Sequence, residues 1–179
     1  HQVIDRTHPL VKGVNTRFDI PHSRFNEVTE SQFEEAKAVV LAKSPIGVHL
    51  AVSPDLFRIV FFQGHPEYDS VSLLKEYKRE VLLYLEKRSS DYPPFPSNYL
   101  SLQSRAILRE YRARLINKTA TINDFPEKLL TKTLDNTWHD SASAVINNWI
   151  GCVYQVTNEN IRKPFMQTID PNNPLNLEK

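Results

Sequence analysis

Three short apolar runs, each closed by a turn, pattern the first third of the chain. They are Ala38-Val39-Val40-Leu41-Ala42, Val48 to Val52, and Arg58 to Phe62. Their β-branched and aromatic content predicts strands. Ser44-Pro45-Ile46-Gly47 and Ser53-Pro54-Asp55 lie between them as tight turns, so the three strands are expected to be antiparallel neighbours. His1 to Asp19 is mixed, with Val3-Ile4, Leu10-Val11 and Gly13, and reads as short strands or loops at an edge. Thr29-Glu30-Ser31-Gln32 has capping-box spacing and predicts a short helix to about Ala36.

After Phe62 the period changes from two to 3.6. Leu73, Leu74, Tyr77, Val81, Tyr84 and Leu85 form the apolar stripe of a helix capped by Asp69 or Ser70 and running to about Lys87. Asp91-Tyr92-Pro93-Pro94-Phe95-Pro96 breaks it. Ala106, Ile107, Tyr111, Leu115 and Ile116 mark a further helix, and another follows around Pro126 to Leu134. Trp138 to Thr157 reads as an apolar helix that includes Ala144, Val145, Trp149, Ile150 and Val153. The tail from Asn158 is rich in Pro and Asn and is expected to wrap the surface.

Composition narrows the classes. With 179 residues the chain is long enough for one domain with a core. Its 22 basic and 21 acidic residues leave a net charge of +1, which gives no electrostatic case for nucleic acid or an anionic membrane. No apolar run is long enough to span a bilayer, and His1 to His8 lack a signal-peptide pattern. The single cysteine, Cys152, excludes an internal disulfide and fits a reducing, cytoplasmic setting. Cys152 sits within an apolar helix, whereas a nucleophile wants an exposed electropositive turn, so it reads as a small core residue. His1 and His8 have no accompanying ligand cluster and read as surface or loop histidines; no metal site is expected. Arg105, Arg109, Arg112 and Arg114 form a basic stripe that reads as a solvated face.

The chemistry concentrates at Gly64-His65-Pro66-Glu67, where the third apolar run ends. Gly64 permits a turn or a close approach. Pro66 fixes its own φ and keeps His65 out of the helical region. His65 and Glu67 are therefore held two residues apart in an extended step, with side chains on one side. A carboxylate on one imidazole nitrogen leaves the other facing a reaction site, which is the base-and-orienter half of a Cys-His-Glu or Ser-His-Asp triad.

His65-Pro66-Glu67 after a buried strand resembles class I glutamine-amidotransferase-like domains, whose triad is Cys-His-Glu. The longer string Gly64-His65-Pro66-Glu67-Tyr68-Asp69 resembles the homoserine O-acyltransferases of the MetA type, the homoserine O-succinyltransferase family. Pro21-His22-Ser23-Arg24-Phe25, the Glu76 and Arg79 spacing, Asn148-Trp149-Ile150 and Val153-Tyr154-Gln155-Val156-Thr157 are similar to further strings of that family. Two places depart from it. Residues from about Leu100 to Thr137 have no recognised counterpart, and Trp138-His139-Asp140-Ser141 stands where the family usually has Trp-Arg-Ser-His.

The resemblance implies an α/β fold: a flavodoxin-like, class I glutamine-amidotransferase-like, mostly parallel sheet with flanking helices. That sheet would be incomplete in this chain, with an antiparallel extension and an inserted helical segment. Residues 1–99 would carry the dyad as the C-terminal part of the catalytic domain, 100–137 would be the insertion, and 138–179 a helix and tail packing on the same domain. The implied reaction is acyl transfer from acyl-CoA, acetyl or succinyl, to the hydroxyl of L-homoserine in methionine biosynthesis. His65 would be the base, Glu67 its orienter, and Ser23 and Arg79 would bind the amino acid. Read from the residues alone, Ser23 fits a turn and Arg79 a surface ion pair with Glu76. Acyl-CoA is the co-substrate and no cofactor is implied. The nucleophilic cysteine belongs to a segment upstream of His1, so the chain is expected to be a fragment. A homodimer stays open. Two alternatives stand beside this reading: a glutamine amidotransferase-like hydrolase with the same triad, and a non-catalytic divergent module.

Overall fold

The computed structural model describes residues 1–157, 162–164 and 166–177. The remaining tail positions, 158–161, 165 and 178–179, lie outside the described residues, and with them part of the tail expected to wrap the surface. The chain divides into two compact units, one of His1–Glu67 with Thr137–Lys179 and one of Tyr68–Asn136.

In the first unit, β1 (Gln2–Val3) precedes α1 (Glu30–Glu35), and β2 (Val39–Ser44), β3 (Gly47–Val52) and β4 (Val60–Phe62) follow. They form one sheet in the order β1-β2-β3-β4, with every neighbouring pair antiparallel. The mostly parallel, flavodoxin-like sheet is therefore not what these residues build. A parallel pair needs a crossover of roughly a dozen residues or more. Ser44↔Gly47 closes β2 onto β3 through a tight turn, with Gly47 at φ +150°, and the short segment before β4 has room only to turn back. The register shifts twice between Val40 and Lys43: Leu41 is the extra residue in β2 and His49 the extra residue in β3.

β3 is buried on both faces, which explains its unbroken apolar run. On one face Leu41, Leu50, Val52 and Phe57 pack with Val145, Cys152 and Val156 of the C-terminal helix, designated α5 below, and with Met166 of the tail. On the other face Phe33 of α1 covers Val48 and Ala51. The capping box of α1 forms as expected: Gln32 N donates to Thr29 Oγ1 at 3.3 Å, and Thr29 N donates to Gln32 Oε1 at 2.8 Å.

The second unit is helical. It holds α2 (Ser72–Leu85), α3 (Leu102–Ile116) and α4 (Glu127–Leu130). Leu74, Tyr77 and Val81 of α2 pack with Leu108, Tyr111 and Leu115 of α3 around Phe125 and Leu130. Asp69 closes a turn one step ahead of α2, accepting from Val71 N at 3.1 Å and Ser72 Oγ at 2.7 Å, so the helix opens at Ser72 and not at Ser70. Residues 100–136 lie in this unit together with α2, and Thr137 belongs to the first. Arg109, Arg112 and Arg114 of the arginine stripe are exposed, as expected of a solvated face; Arg112 also stacks over the Tyr92 ring at 4.5 Å, and Arg105 is half-buried with its Nε enclosed.

The chain returns to the first unit with α5 (His139–Val156). Asn148 Nδ2 ties α5 to the 3₁₀ turn Pro9–Val11, donating to Leu10 O at 3.0 Å and Lys12 O at 2.7 Å. Among the described residues no helix is long and apolar enough to cross a membrane.

Candidate active site

The site is built on the end of β4. Gln63 is the last residue still bonded to the sheet, through its N–H to His49 O at 2.8 Å. Its side-chain amide clips an outer loop to the strand. Gln63 Nε2 donates to Val28 O at 2.8 Å and Val48 O at 3.0 Å, and Val28 N donates to Gln63 Oε1 at 2.7 Å. Gly64 is needed for close approach. A Cβ there would lie 2.0 Å from Ile20 Cγ2, 3.0 Å from His49 Nδ1 and 3.1 Å from His22 Nε2.

His65 then leaves the sheet, its backbone N–H donating to Pro21 O at 2.8 Å. Its Nδ1 lies 2.8 Å from Glu67 Oε1, so the expected dyad forms. Nε2 lies 3.2 Å from the Ser23 carbonyl oxygen. A doubly protonated ring donates to both acceptors. The neutral ring with its proton on Nδ1 keeps the Glu67 bond and leaves a lone pair at Nε2 for proton abstraction. The His65 side chain is 31% exposed, accessible enough to meet a substrate.

A group of imidazoles stands behind the dyad. His49 is buried in β3, its Nδ1 accepting from Gly64 N at 3.3 Å. Burial first, then the positive neighbours His22 and Arg24, push His49 down to about 3. Arg24 Nη1 lies 2.8 Å from His22 Nδ1; a guanidinium only donates, so this nitrogen accepts. Burial and then the Arg24 charge lower His22 to about 4. His22 Nε2 lies 2.9 Å from His1 Nε2.

His1 and His8 both lie in loop segments, as expected, but His8 is not at the surface. It is 2% exposed, with Nε2 bonded to Leu56 O at 2.9 Å and Nδ1 accepting from Leu10 N at 3.2 Å. His1 packs its ring against Phe18, His22 and His49. Arg24 has a side chain 23% exposed and pairs with Glu27 at 2.9 Å. Among the described residues no group of three or more His, Cys, Asp or Glu side chains is arranged to hold a metal.

The other site residues fall as follows. Ser23 meets His65 through its carbonyl. Arg79 lies on α2 in the second unit, exposed, 3.9 Å from Glu76 and 3.4 Å from Glu80. Tyr68, which follows the dyad in sequence, donates to Glu76 Oε1 at 2.8 Å. Cys152 is buried and burial raises its thiol, the opposite of an activated nucleophile. Sequence reasoning passed over His49 and Gln63. A histidine inside an otherwise apolar strand was the available signal for the first; nothing local marks the second.

Bonded carboxylate and imidazole at a strand end define the class: an α/β unit equipped for acid–base chemistry. The homoserine O-succinyltransferase family profile matches residues 1–159. The chain is 57% identical over 183 residues to a homoserine O-succinyltransferase of Nitrosococcus oceani, covering 100% of this chain and 51% of that protein. It is 59% identical to one of Thioalkalivibrio nitratireducens, with the same coverage, and 56% identical over 181 residues to one of Allochromatium vinosum, covering 99% and 51%. The chain belongs to the homoserine O-succinyltransferase family. It spans about half the length of the curated relatives it matches, and the matched span includes residues 100–137.

Proposed function

We propose that this chain supplies the base half of an enzyme that transfers a succinyl group from succinyl-CoA to the hydroxyl of L-homoserine, a step toward methionine, in the cytoplasm. The observation that carries the reading is the 2.8 Å contact between His65 Nδ1 and Glu67 Oε1 at a strand end. The succinyl donor follows the names of the relatives.

The chemistry runs in two steps. His65 takes the proton of a cysteine thiol from the rest of the protein as that sulfur attacks the thioester carbonyl; the acyl–sulfur bond to CoA breaks, and the proton passes to CoA, which leaves as the thiol. His65 Nε2 then takes the proton from the homoserine hydroxyl as its oxygen attacks the acyl-enzyme. The ester forms, and the proton passes to the departing cysteine sulfur. An alcohol is a weak nucleophile near neutral pH, so a positioned imidazole is required. Glu67 holds the ring with its proton on Nδ1 and balances the charge that develops. Ser23, whose carbonyl meets His65, holds the amino acid beside the base.

The test is turnover by the full-length protein, followed as thiol release from succinyl-CoA and from acetyl-CoA, with and without homoserine, beside ammonia release from glutamine. His65→Ala is expected to lower homoserine-dependent turnover by at least about a thousandfold, and Glu67→Gln by a smaller factor, as removal of triad members does elsewhere. Full activity in His65→Ala, or glutamine hydrolysis without acyl transfer, would overturn the reading.

A further inference from the structure

Two carbonyls of one short segment reach His65. Pro21 O accepts from its backbone N–H at 2.8 Å, and Ser23 O lies 3.2 Å from its Nε2. Between them stands His22, whose ring is fixed at both nitrogens. Arg24 Nη1 donates to Nδ1 at 2.8 Å, which leaves the ring proton on Nε2, pointing to His1 Nε2 at 2.9 Å. The same ring lies against Gly64, where an added Cβ would come within 3.1 Å of Nε2. Arg24 is held in turn by Glu27 Oε2 at 2.9 Å and by the Gln63 carbonyl at 3.4 Å. Imidazole, guanidinium and strand end are therefore one bonded set.

We propose that His22 is a positioning residue for His65: by accepting from Arg24 at Nδ1 it fixes the segment that sets the Ser23 carbonyl against His65 Nε2. The proposal deepens the acyl-transfer reading, and its kinetic arm rests on that reading. The set requires an acceptor at this point. A proton on His22 Nδ1 would face a guanidinium N–H 2.8 Å away, donor against donor. Alanine would leave the Arg24 N–H without this acceptor and remove the ring that lies against Gly64 and His1. Asparagine places Oδ1 near the Nδ1 position and keeps the acceptor.

The experiment uses the full-length protein as wild type, His22→Ala and His22→Asn. Steady-state kinetics are taken with succinyl-CoA and homoserine, and the His65 ring nitrogens are followed by NMR of histidine-labelled protein. His22→Ala is expected to lower kcat by about 10- to 100-fold, the cost of misplacing a reacting group by a fraction of an ångström to an ångström, with KM for homoserine changed less than about twofold. It should also move the His65 ring signals. His22→Asn should keep kcat within about threefold and leave those signals in place. Unchanged kcat and unchanged His65 signals in His22→Ala overturn the proposal, as does a folded His22→Asn that loses as much as alanine. If the wild type transfers no acyl group, the functional reading fails, and the NMR arm still decides whether His22 governs the His65 ring.

Discussion

Mild acid should destabilise the first unit through its buried imidazoles. His49 is 2% exposed, and the charged side chains facing it are positive: His22 and Arg24 from the loop. Its folded value, about 3, lies below the ordinary 6.5, so the unfolded chain binds the proton more readily. The stability this contributes is complete above pH 6.5 and is lost as pH falls from 6.5 toward the folded value. Each pH unit in that window costs about 1.4 kcal/mol per such group. At pH 5 the loss at His49 alone is about 2 kcal/mol. His22, pushed to about 4, adds a smaller share because water reaches it. His8, lowered by burial, titrates with the same sign. A domain holds about 5–15 kcal/mol in all, so the effect is large.

Urea unfolding followed by circular dichroism at pH 7.5, 6.5, 5.5 and 5 measures it. Asp5, Asp55, Asp69 and Asp124 are held below the ordinary 3.8, so their contributions are lost mainly below pH 4 and the window from 6.5 to 5 belongs to the histidines. His49→Asn keeps an acceptor for Gly64 N and cannot titrate. It should lose about 2 kcal/mol less than the wild type between pH 7.5 and 5. A wild type whose stability is flat across that range, or a variant with the same slope, would refute the reasoning.

Other perturbations isolate single contacts. Gly64→Ala drives a methyl to 2.0 Å from Ile20 Cγ2 and should cost about 1–3 kcal/mol, read as a lowered Tm; Ile20→Ala in the same chain should recover part of it, and independent, additive effects would remove the steric account. Asn148→Ala breaks both bonds from α5 to Leu10 O and Lys12 O and should cost about 1–3 kcal/mol in urea unfolding; a loss within error of zero would show that these bonds exchange freely with water. Ser23→Ala keeps the carbonyl at His65 Nε2, so it should raise KM for homoserine in the full-length protein with kcat changed less than about threefold; a collapse of kcat would mean that the hydroxyl, not the carbonyl, supports the base.

What could be read along the chain was whatever a few adjacent residues decide. The turn at Ser44-Pro45-Ile46-Gly47, the capping box at Thr29 and the proline-spaced dyad are each closed by neighbours within four residues, and each forms. The turn lengths between β2, β3 and β4 likewise predict the antiparallel pairing that is observed. The mostly parallel sheet rests on the family resemblance alone, and no turn or period in these residues calls for it.

The support behind the dyad was hidden because it is assembled across distance. Gln63 reaches Val28 and Val48, 35 and 15 residues away, and His8 bonds Leu56 across 48. No periodicity records such pairs. A polar residue inside an apolar run nevertheless carries information, because a buried polar group without a partner is costly. His49 within Val48 to Val52 is such a residue, and its partner is the N–H of the glycine that precedes His65. One buried imidazole therefore accounts both for an interruption of the hydrophobic pattern and for where the strand delivers its base. Polar interruptions of buried strands are thus places to look for the supports of a site, even when the interrupting residue never touches the chemistry.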